Sequence, residues 1–168
     1  ECFRGAIAMR PDFADAHDGL LFTLNYDADC PAEEIFAAYR AYDLRFGQPQ
    51  RGAWRAHANP RDAGRRLKVA YVSPDFRRHA ALHFLEPLLA HHDKGQVEVH
   101  AYAELVREDD VTARYRGYAD HWVATRGLSD EALAERIRTD GIDILVDLAG
   151  HTAGNRLGVF ARKPAPVQ

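Results

Sequence analysis

The residues with the clearest chemical potential follow a short apolar run in VAYVSPDFRRHAALHFLEPLLAHH, residues 69 to 92. In an open α/β sheet, ligands bind beyond the carboxyl ends of the strands, where strand turns into helix. Ser73, Pro74 and Asp75 stand at such a junction and are predicted to bind substrate. We expect a helix over about 78–92, with Ser73 or Asp75 capping it and its first N–H groups attracting anions or polar oxygens.

His79 is predicted to lie in the first turn of that helix, near its positive end, which favours the neutral imidazole. A neutral imidazole in a cleft can accept a proton or a hydrogen bond, so His79 is the candidate catalytic residue. The alternative is a solvated or capping histidine. His79 and His83 have the spacing of metal ligands, but Ala80 stands where the metalloprotease pattern needs Glu, so we predict no metal site. No G-x-G-x-x-G follows the first strand, which counts against a dehydrogenase.

A second candidate site is VDLAGHTAGNR, residues 146 to 156. Gly150 and Gly154 flank His151 and Thr152 in a predicted tight turn, and glycine lets backbone approach a ligand closely. The alternative is an ordinary turn. Two histidine-bearing loops at one sheet edge nevertheless predict a cleft, with His151 and Thr152 binding substrate.

Strands alternate with helices from Leu67 onward, which predicts a parallel sheet covered on both faces and a Rossmann-like fold. The predicted strands are 67–72, 97–103, 120–125 and 142–150, and the predicted helices are 78–92, 111–117 and 129–139. The first helix is expected to bury Leu82, Leu85, Leu88 and Leu89. The last is expected to begin at a Ser/Asp cap and end at Gly141. The histidines outside the two loops are predicted to lie on the surface.

The first 46 residues are predicted to be helical. One helix carries Phe3, Ala6, Ile7 and Met9, a second spans about 13–24, and a third begins at Cys30-Pro31-Ala32. Residues 47–66 have no period and are predicted to be a connector. The third helix carries a largely aromatic stripe made of Ile35, Phe36, Tyr39, Tyr42 and Phe46. This apolar surface is too large to remain exposed to solvent, so we expect the helices to pack on the α/β part. The alternative is that the stripe is shared only among the helices or with repeats upstream.

Composition limits the function classes. The chain has 168 residues, with 22 Lys and Arg against 25 Asp and Glu, so no basic surface argues for nucleic acid. Two cysteines do not make a disulfide framework, and free thiols in a reducing compartment are expected. Without an apolar run of about 18 residues or a signal-like start, we predict a cytoplasmic protein with no membrane partner. The start at Glu1 and the end at Pro166-Val167-Gln168 predict a segment of a larger protein.

The runs RLKVAYVSPDFRRHAALHFLEPLLAHHD and ERIRTDGIDILVDLAGHTAGNRLGVFARKPAPVQ resemble the catalytic region of O-linked N-acetylglucosamine transferases, above all the bacterial type with tetratricopeptide repeats. The stretch AIAMRPDFADAH is similar to the end of such a repeat array. The resemblance covers essentially the whole chain. It implies tetratricopeptide-like helices and connector over 1–66, and over 67–168 the Rossmann-like first lobe of a type B glycosyltransferase, whose second lobe the chain lacks.

The family's activity is an inverting transfer of N-acetylglucosamine from UDP-GlcNAc to Ser or Thr hydroxyls of proteins, with no cofactor and no required metal. The resemblance places His79 on the active-site histidine, listed as proton acceptor, and His151 and Thr152 on the loop facing donor sugar and acceptor. It implies three partners: the acceptor protein, the nucleotide sugar and the second lobe. Two alternatives stay open: a fucosyltransferase of the same family using GDP-fucose, and an inactive repeat-based scaffold that binds proteins.

Overall fold

The structure, a computed structural model, describes all residues from Glu1 to Gln168. Its sheet has four parallel strands in the order β3-β2-β1-β4. The strands are β1 (Leu67–Ser73), β2 (Val97–Ala103), β3 (His121–Ala124) and β4 (Ile144–Asp147). The helices are α1 (Cys2–Met9), α2 (Ala14–Leu24), α3 (Ala32–Tyr42), α4 (Leu82–Ala90), α5 (Asp110–Tyr118), α6 (Asp130–Asp140) and α7 (Leu157–Ala161). The predicted α/β class is therefore correct.

β1 is one of the two interior strands, with both of its edges paired. It pairs with β2 from Leu67–Val97 to Ser73–Ala103, and with β4 from Val69–Ile144 to Val72–Asp147. Its last five residues are all buried, as expected for a strand covered on both faces. β2 and β3 lie on one side of β1 and β4 on the other, so the chain changes direction at the carboxyl ends of β1 and β4. That crevice is where open α/β sheets bind ligands.

Alternate residues of the strands feed two apolar cores, one on each face of the sheet. Helices α4 and α5 cover the first core, which contains Val69, Tyr71, Phe76, Leu85, Leu89, Val99 and Tyr115. Helix α6 and Val159 of α7 cover the second, which contains Ala70, Val72, Tyr102, Leu133, Ile137 and Leu145. Helix α6 begins with Ser129 Oγ accepting from the Ala132 N–H and ends at Gly141 in the left-handed region (φ 67°), as predicted.

The helix predicted over 78–92 is shorter than expected and begins at Leu82. Residues 74–81 form bends and turns instead, and within them the Arg78 N–H donates to Asp109 at the start of α5. Ser73 and Asp75 therefore cap no helix, and the residue preceding α4 is Ala81, which makes no side-chain cap bond. Leu88 was predicted to be buried but is 48% exposed, whereas Leu85 and Leu89 are buried.

Three other predictions need correction. The fourth strand, expected over 142–150, is limited to Ile144–Asp147; the Leu148 N–H still donates to the Val72 carbonyl, and the chain leaves β1 after it. The connector, predicted over 47–66, is not wholly irregular, since Gln48–Ala53 forms a 3₁₀ helix after a turn of π-helix at Asp43–Gly47. Not all remaining histidines are on the surface: His100 is 4% exposed, and His92 is half-buried with its Nε2 2.8 Å from the Tyr71 hydroxyl.

Asp143 fastens the connector to the sheet just before β4. Its buried carboxylate accepts two hydrogen bonds from Arg65, at 2.6 and 2.5 Å, one from Asn59 at 2.7 Å, and one from the Lys68 N–H at 2.9 Å. Desolvation acts to raise the pKa of Asp143, but these donors outweigh it and lower the pKa from 3.8 to about 2. The carboxylate is therefore retained in its charged form and stabilises the fold.

Asp143→Asn is expected to lower the free energy of unfolding by about 2 kcal/mol near pH 7, the worth of the depressed pKa. Since folding lowers this pKa, the contribution is full above the unfolded pKa of 3.8 and is lost as pH falls toward 2. Urea unfolding near neutral pH and near pH 3 should show a smaller difference between wild type and variant in acid. The exposed Asp12→Asn is the control, and an equal loss at both pH values would contradict the assignment.

Candidate functional site

Two loops meet at the carboxyl edge of the sheet where β1 and β4 end. The first follows β1 and carries Pro74, Asp75 and His79; the second follows β4 and carries His151 and Thr152. They touch directly, because a Cβ built on Gly154 would lie 3.1 Å from the Pro74 Cβ. Gly154 also has a φ of 77°, which a side chain would strain. The two histidine-bearing loops therefore lie side by side at this edge.

Ser73 and Asp75 shape the first loop. Ser73 is buried, and its Oγ accepts a hydrogen bond from the Asp75 N–H at 2.9 Å. One Asp75 oxygen accepts from Arg77 at 2.9 Å, and the other lies 3.8 Å from His79 Nδ1. At 3.8 Å the Asp75–His79 pair is not hydrogen-bonded. The side chain of Ser73 is thus already engaged, whereas Asp75 faces the histidine.

His79 lies on this loop with 43% of its side chain exposed, three residues before α4. Its Nδ1 accepts a long hydrogen bond of 3.3 Å from the Ala81 N–H. The preceding residue is held firmly, because the Arg78 N–H donates to Asp109 at 2.8 Å and its guanidinium donates to both oxygens of Asp110. The loop is therefore anchored to α5 while the imidazole stays accessible to a substrate.

His151 is turned toward the helical front rather than toward His79. Its Nδ1 donates to Asp18 of α2 at 2.6 Å, and Asn155 donates to the other oxygen of Asp18 at 2.9 Å. The imidazole packs against Tyr39 and Tyr42 of α3, with ring centroids 5.1 and 4.7 Å apart. Burial, helped by the charge of Asp18, raises the pKa of the Tyr42 hydroxyl, which therefore stays protonated.

Thr152 is used in the turn itself. Its Oγ1 donates to the Ala149 carbonyl at 2.8 Å, and its N–H donates to the same oxygen at 3.1 Å. His151 and Thr152 both line a cavity of about 1190 Å³ between the helical front and the loop after β4. Ser73, Pro74, Asp75 and His79 do not line it. The structure therefore splits the predicted site residues between the cavity wall and the neighbouring exposed loop.

The helical front is docked on the α/β part, as the aromatic stripe predicts. Besides the Asp18 bonds, the Trp54 indole N–H donates to the Ala161 carbonyl of α7 at 2.8 Å. The stripe is only partly covered: Ile35, Tyr39, Tyr42 and Phe46 are half-buried, and Phe36 is 64% exposed. The interface therefore uses polar contacts at its centre as well as aromatic area.

Sequence reasoning missed the polar residues that complete this edge of the sheet. No sequence pattern marks Asp18 as part of the site, since an aspartate on a helix is ordinarily solvated. Glu104 was missed too: it follows β2 and accepts hydrogen bonds from Thr125 at 2.6 Å and Arg156 at 2.9 Å. Its position directly after a strand, like that of Pro74 after β1, was the available clue.

The fold and site together define a doubly covered parallel α/β lobe with its candidate functional loops at the topological switch point. Residues 48–168 match glycosyl transferase family 41, and the chain belongs to this family. No helix combines the length and apolar character needed to cross a membrane.

The chain is similar over its whole length to a rice protein named as a probable UDP-N-acetylglucosamine–peptide N-acetylglucosaminyltransferase SPINDLY, with 34% identity. The Arabidopsis thaliana protein of the same name is 37% identical over 94% of the chain. In each case the chain spans 18% of the relative's length. A solved structure of a mutant O-GlcNAc transferase from Thermobaculum terrenum matches 99% of the chain with a TM-score of 0.91 and 39% identity, and the chain covers 32% of that protein. The fold is thus that of a lobe of this enzyme.

Asp18→Ala is expected to loosen the helical front, because it leaves the His151 Nδ1 without its acceptor and Asn155 with the Thr152 carbonyl alone. A buried donor left unpaired costs about 1–3 kcal/mol. Hydrogen exchange of residues 14–24 and 32–42 should accelerate, while that of β1 and β2 stays unchanged. Asp15→Ala, an exposed aspartate on the same helix, is the matched control. Unchanged exchange in the Asp18 variant would show that apolar contacts alone hold the front in place.

Proposed function

We propose that the chain forms part of an inverting glycosyltransferase that moves N-acetylglucosamine from UDP-GlcNAc to Ser or Thr hydroxyls of proteins. The observation that carries this proposal is the accessible His79, held on an anchored loop at the switch point. The names of the relatives support UDP-GlcNAc as the donor and a peptide as the acceptor. The proposal includes a tetratricopeptide-like character for residues 1–66, a catalytic lobe over 67–168, and a cytoplasmic setting.

The chemistry requires a proton acceptor near the hydroxyl. The Ser or Thr oxygen attacks the anomeric carbon, the bond from that carbon to the diphosphate oxygen breaks, and UDP leaves with the electron pair. The hydroxyl proton passes to the acceptor, for which His79 is the proposed residue. Attack opposite the leaving group inverts the anomeric configuration. Neutralisation of the diphosphate is assigned to donors of a second lobe, the further partner in this proposal, with no metal required.

The geometry around His79 defines what must change during the reaction. With Nδ1 accepting from the Ala81 N–H, the neutral ring carries its proton on Nε2 and cannot accept another there. Proton acceptance at Nε2 needs the other tautomer, with hydrogen on Nδ1. The Asp75 oxygen at 3.8 Å is the acceptor that a small ring rotation would bring within hydrogen-bond distance of Nδ1. Asp75 is therefore proposed as a positioning residue for His79.

Substrate-binding roles are proposed for the remaining loop residues. Pro74 and Gly154 set the spacing of the two loops, and Ser73 fixes the turn that presents Asp75. His151 and Thr152 face the cavity beside the helical front, where a protein acceptor can be held between the two parts of the chain.

His79→Ala in the full-length protein is expected to lower turnover by about 10² to 10⁴ with little change in stability, because the group is exposed and catalytic. Radiolabelled UDP-GlcNAc and a Ser/Thr peptide provide the assay, and urea unfolding checks the fold. His83→Ala, an exposed histidine four residues on, is the control. A wild-type rate in the His79 variant would show that His79 is not catalytic. Transfer from GDP-fucose but not UDP-GlcNAc would replace the donor and leave the role of His79 intact.

Asp75→Asn is expected to reduce turnover about tenfold or more, through the tautomer of His79 rather than through substrate contact. Residues that act as a unit have non-additive effects. Asp75→Asn should therefore cost nothing further in the His79→Ala background. A full additional loss in the double variant would show that Asp75 acts independently of His79.

A further inference from the structure

A cluster of two histidines and a glutamate lies at the opposite end of the sheet from the loops just described. Glu98 and His100 are the second and fourth residues of β2, so their side chains share one face. His121 begins β3 and pairs in register with His100. The three residues thus converge at the amino-terminal end of the strands, away from the switch point.

The donor atoms of this cluster share one small space. His100 Nε2 lies 2.9 Å and His121 Nε2 3.0 Å from the same oxygen, Glu98 Oε1. The two imidazoles are stacked, with centroids 4.3 Å apart and planes 25° apart. One ligand atom from each residue lies within 4.8 Å of the other two. Two imidazoles and one carboxylate form a His₂Glu set, which binds Zn²⁺ at roughly 2.0–2.2 Å per bond.

His100 is an unusual residue to bury without a full set of partners. It is 4% exposed, and its Nδ1 is buried with no hydrogen-bond partner. Its Nε2 makes its contact to Glu98, inside the cluster. Nε2 is therefore the nitrogen that the ring presents to the cluster. Neither nitrogen of this ring is committed to the backbone or to a residue outside the cluster.

The surroundings suit a cation despite two nearby basic residues. The cluster opens into a cavity of about 260 Å³ that is also lined by Lys68, Arg136 and Asp140. Lys68 Nζ donates to the Asp140 carbonyl, and Arg136 donates to the Asp140 carboxylate, so both basic groups are already engaged. Helix α6 ends at Asp140, and the carbonyl end of a helix favours positive charge.

We propose that Glu98, His100 and His121 bind one divalent transition-metal ion of the zinc type, with solvent completing its coordination. Imidazole and carboxylate donors suit Zn²⁺, and Co²⁺ reports on the same geometry. The ion would join the short edge strand β3 to β2. Its distance along the strands from the switch point makes it a stabilising site with no part in the transfer chemistry.

The test is direct metal binding to the chelator-treated chain. Calorimetric titration with Zn²⁺ is expected to give one site per chain, and Co²⁺ should give the visible absorption of a low-coordinate imidazole site. His121→Ala and Glu98→Gln should each weaken Zn²⁺ binding by at least about tenfold. His121 is 54% exposed, so its removal is expected to leave the fold intact, which circular dichroism checks.

His83→Ala is the matched control. His83 is exposed, lies outside the cluster and stands four residues after His79 in the sequence. The variant should keep wild-type affinity. The proposal is overturned if the wild-type chain binds neither metal, or if both cluster variants bind as tightly as wild type. It is also overturned if His83→Ala removes binding while His121→Ala keeps it, because the metal then sits on the His79 loop.

Discussion

β1 pairs in parallel with β2 along one edge and with β4 along the other, and this double pairing sets the position of everything functional in the chain. Because β4 joins on the far side of β1 from β2, the loops after β1 and β4 leave neighbouring strand ends and lie side by side at the switch point. The apolar composition of β1 makes this possible, since five consecutive buried residues tolerate no solvent-facing edge or face. His79 and His151 reach the same edge as a consequence of this topology.

Polar ties then fix the helical front and the connector against that sheet. Asp143 holds Asn59 and Arg65, Asp18 holds His151 and Asn155, and the Trp54 indole reaches α7. Asp143 and Asp18 are buried acceptors for donors from distant parts of the chain, whereas Trp54 is 46% exposed. Removing either aspartate therefore costs more than the bond itself, because its partly buried donors lose an acceptor.

The histidines at the two ends of the sheet have different surroundings. At the carboxyl edge, His79 is exposed on a tethered loop, which suits a group that exchanges protons with a substrate. At the amino edge, His100 is buried beside Glu98 and stacked on His121, which suits a group that is held still. The separation follows from strand polarity. Residues early in a strand and residues just after it lie at opposite ends of a parallel sheet, so the proposed metal and the proposed transfer chemistry do not share ligands.

The sequence by itself determined the alternation of strands and helices, the cap and end of α6, and the two histidine-bearing junctions. These depend on local periodicity and on residues a few positions apart, so a single stretch of chain carries the information. It also carried the motifs by which the family resemblance was drawn. Local pattern failed in the loop after β1, where Arg78 bonds to the distant Asp109 and Asp110 and the helix expected from 78 begins at Leu82.

Tertiary structure alone decided which side chains meet. Asp18 and His151 are 133 positions apart, and Glu98, His100 and His121 come together only when β2 and β3 pair in register. No periodicity predicts such contacts, because a one-residue shift of register would turn each side chain to the other face. The burial of His100 and the exposure of Leu88 have the same origin. Each depends on what the neighbouring strand or helix covers, and that is settled by packing rather than by the residue itself.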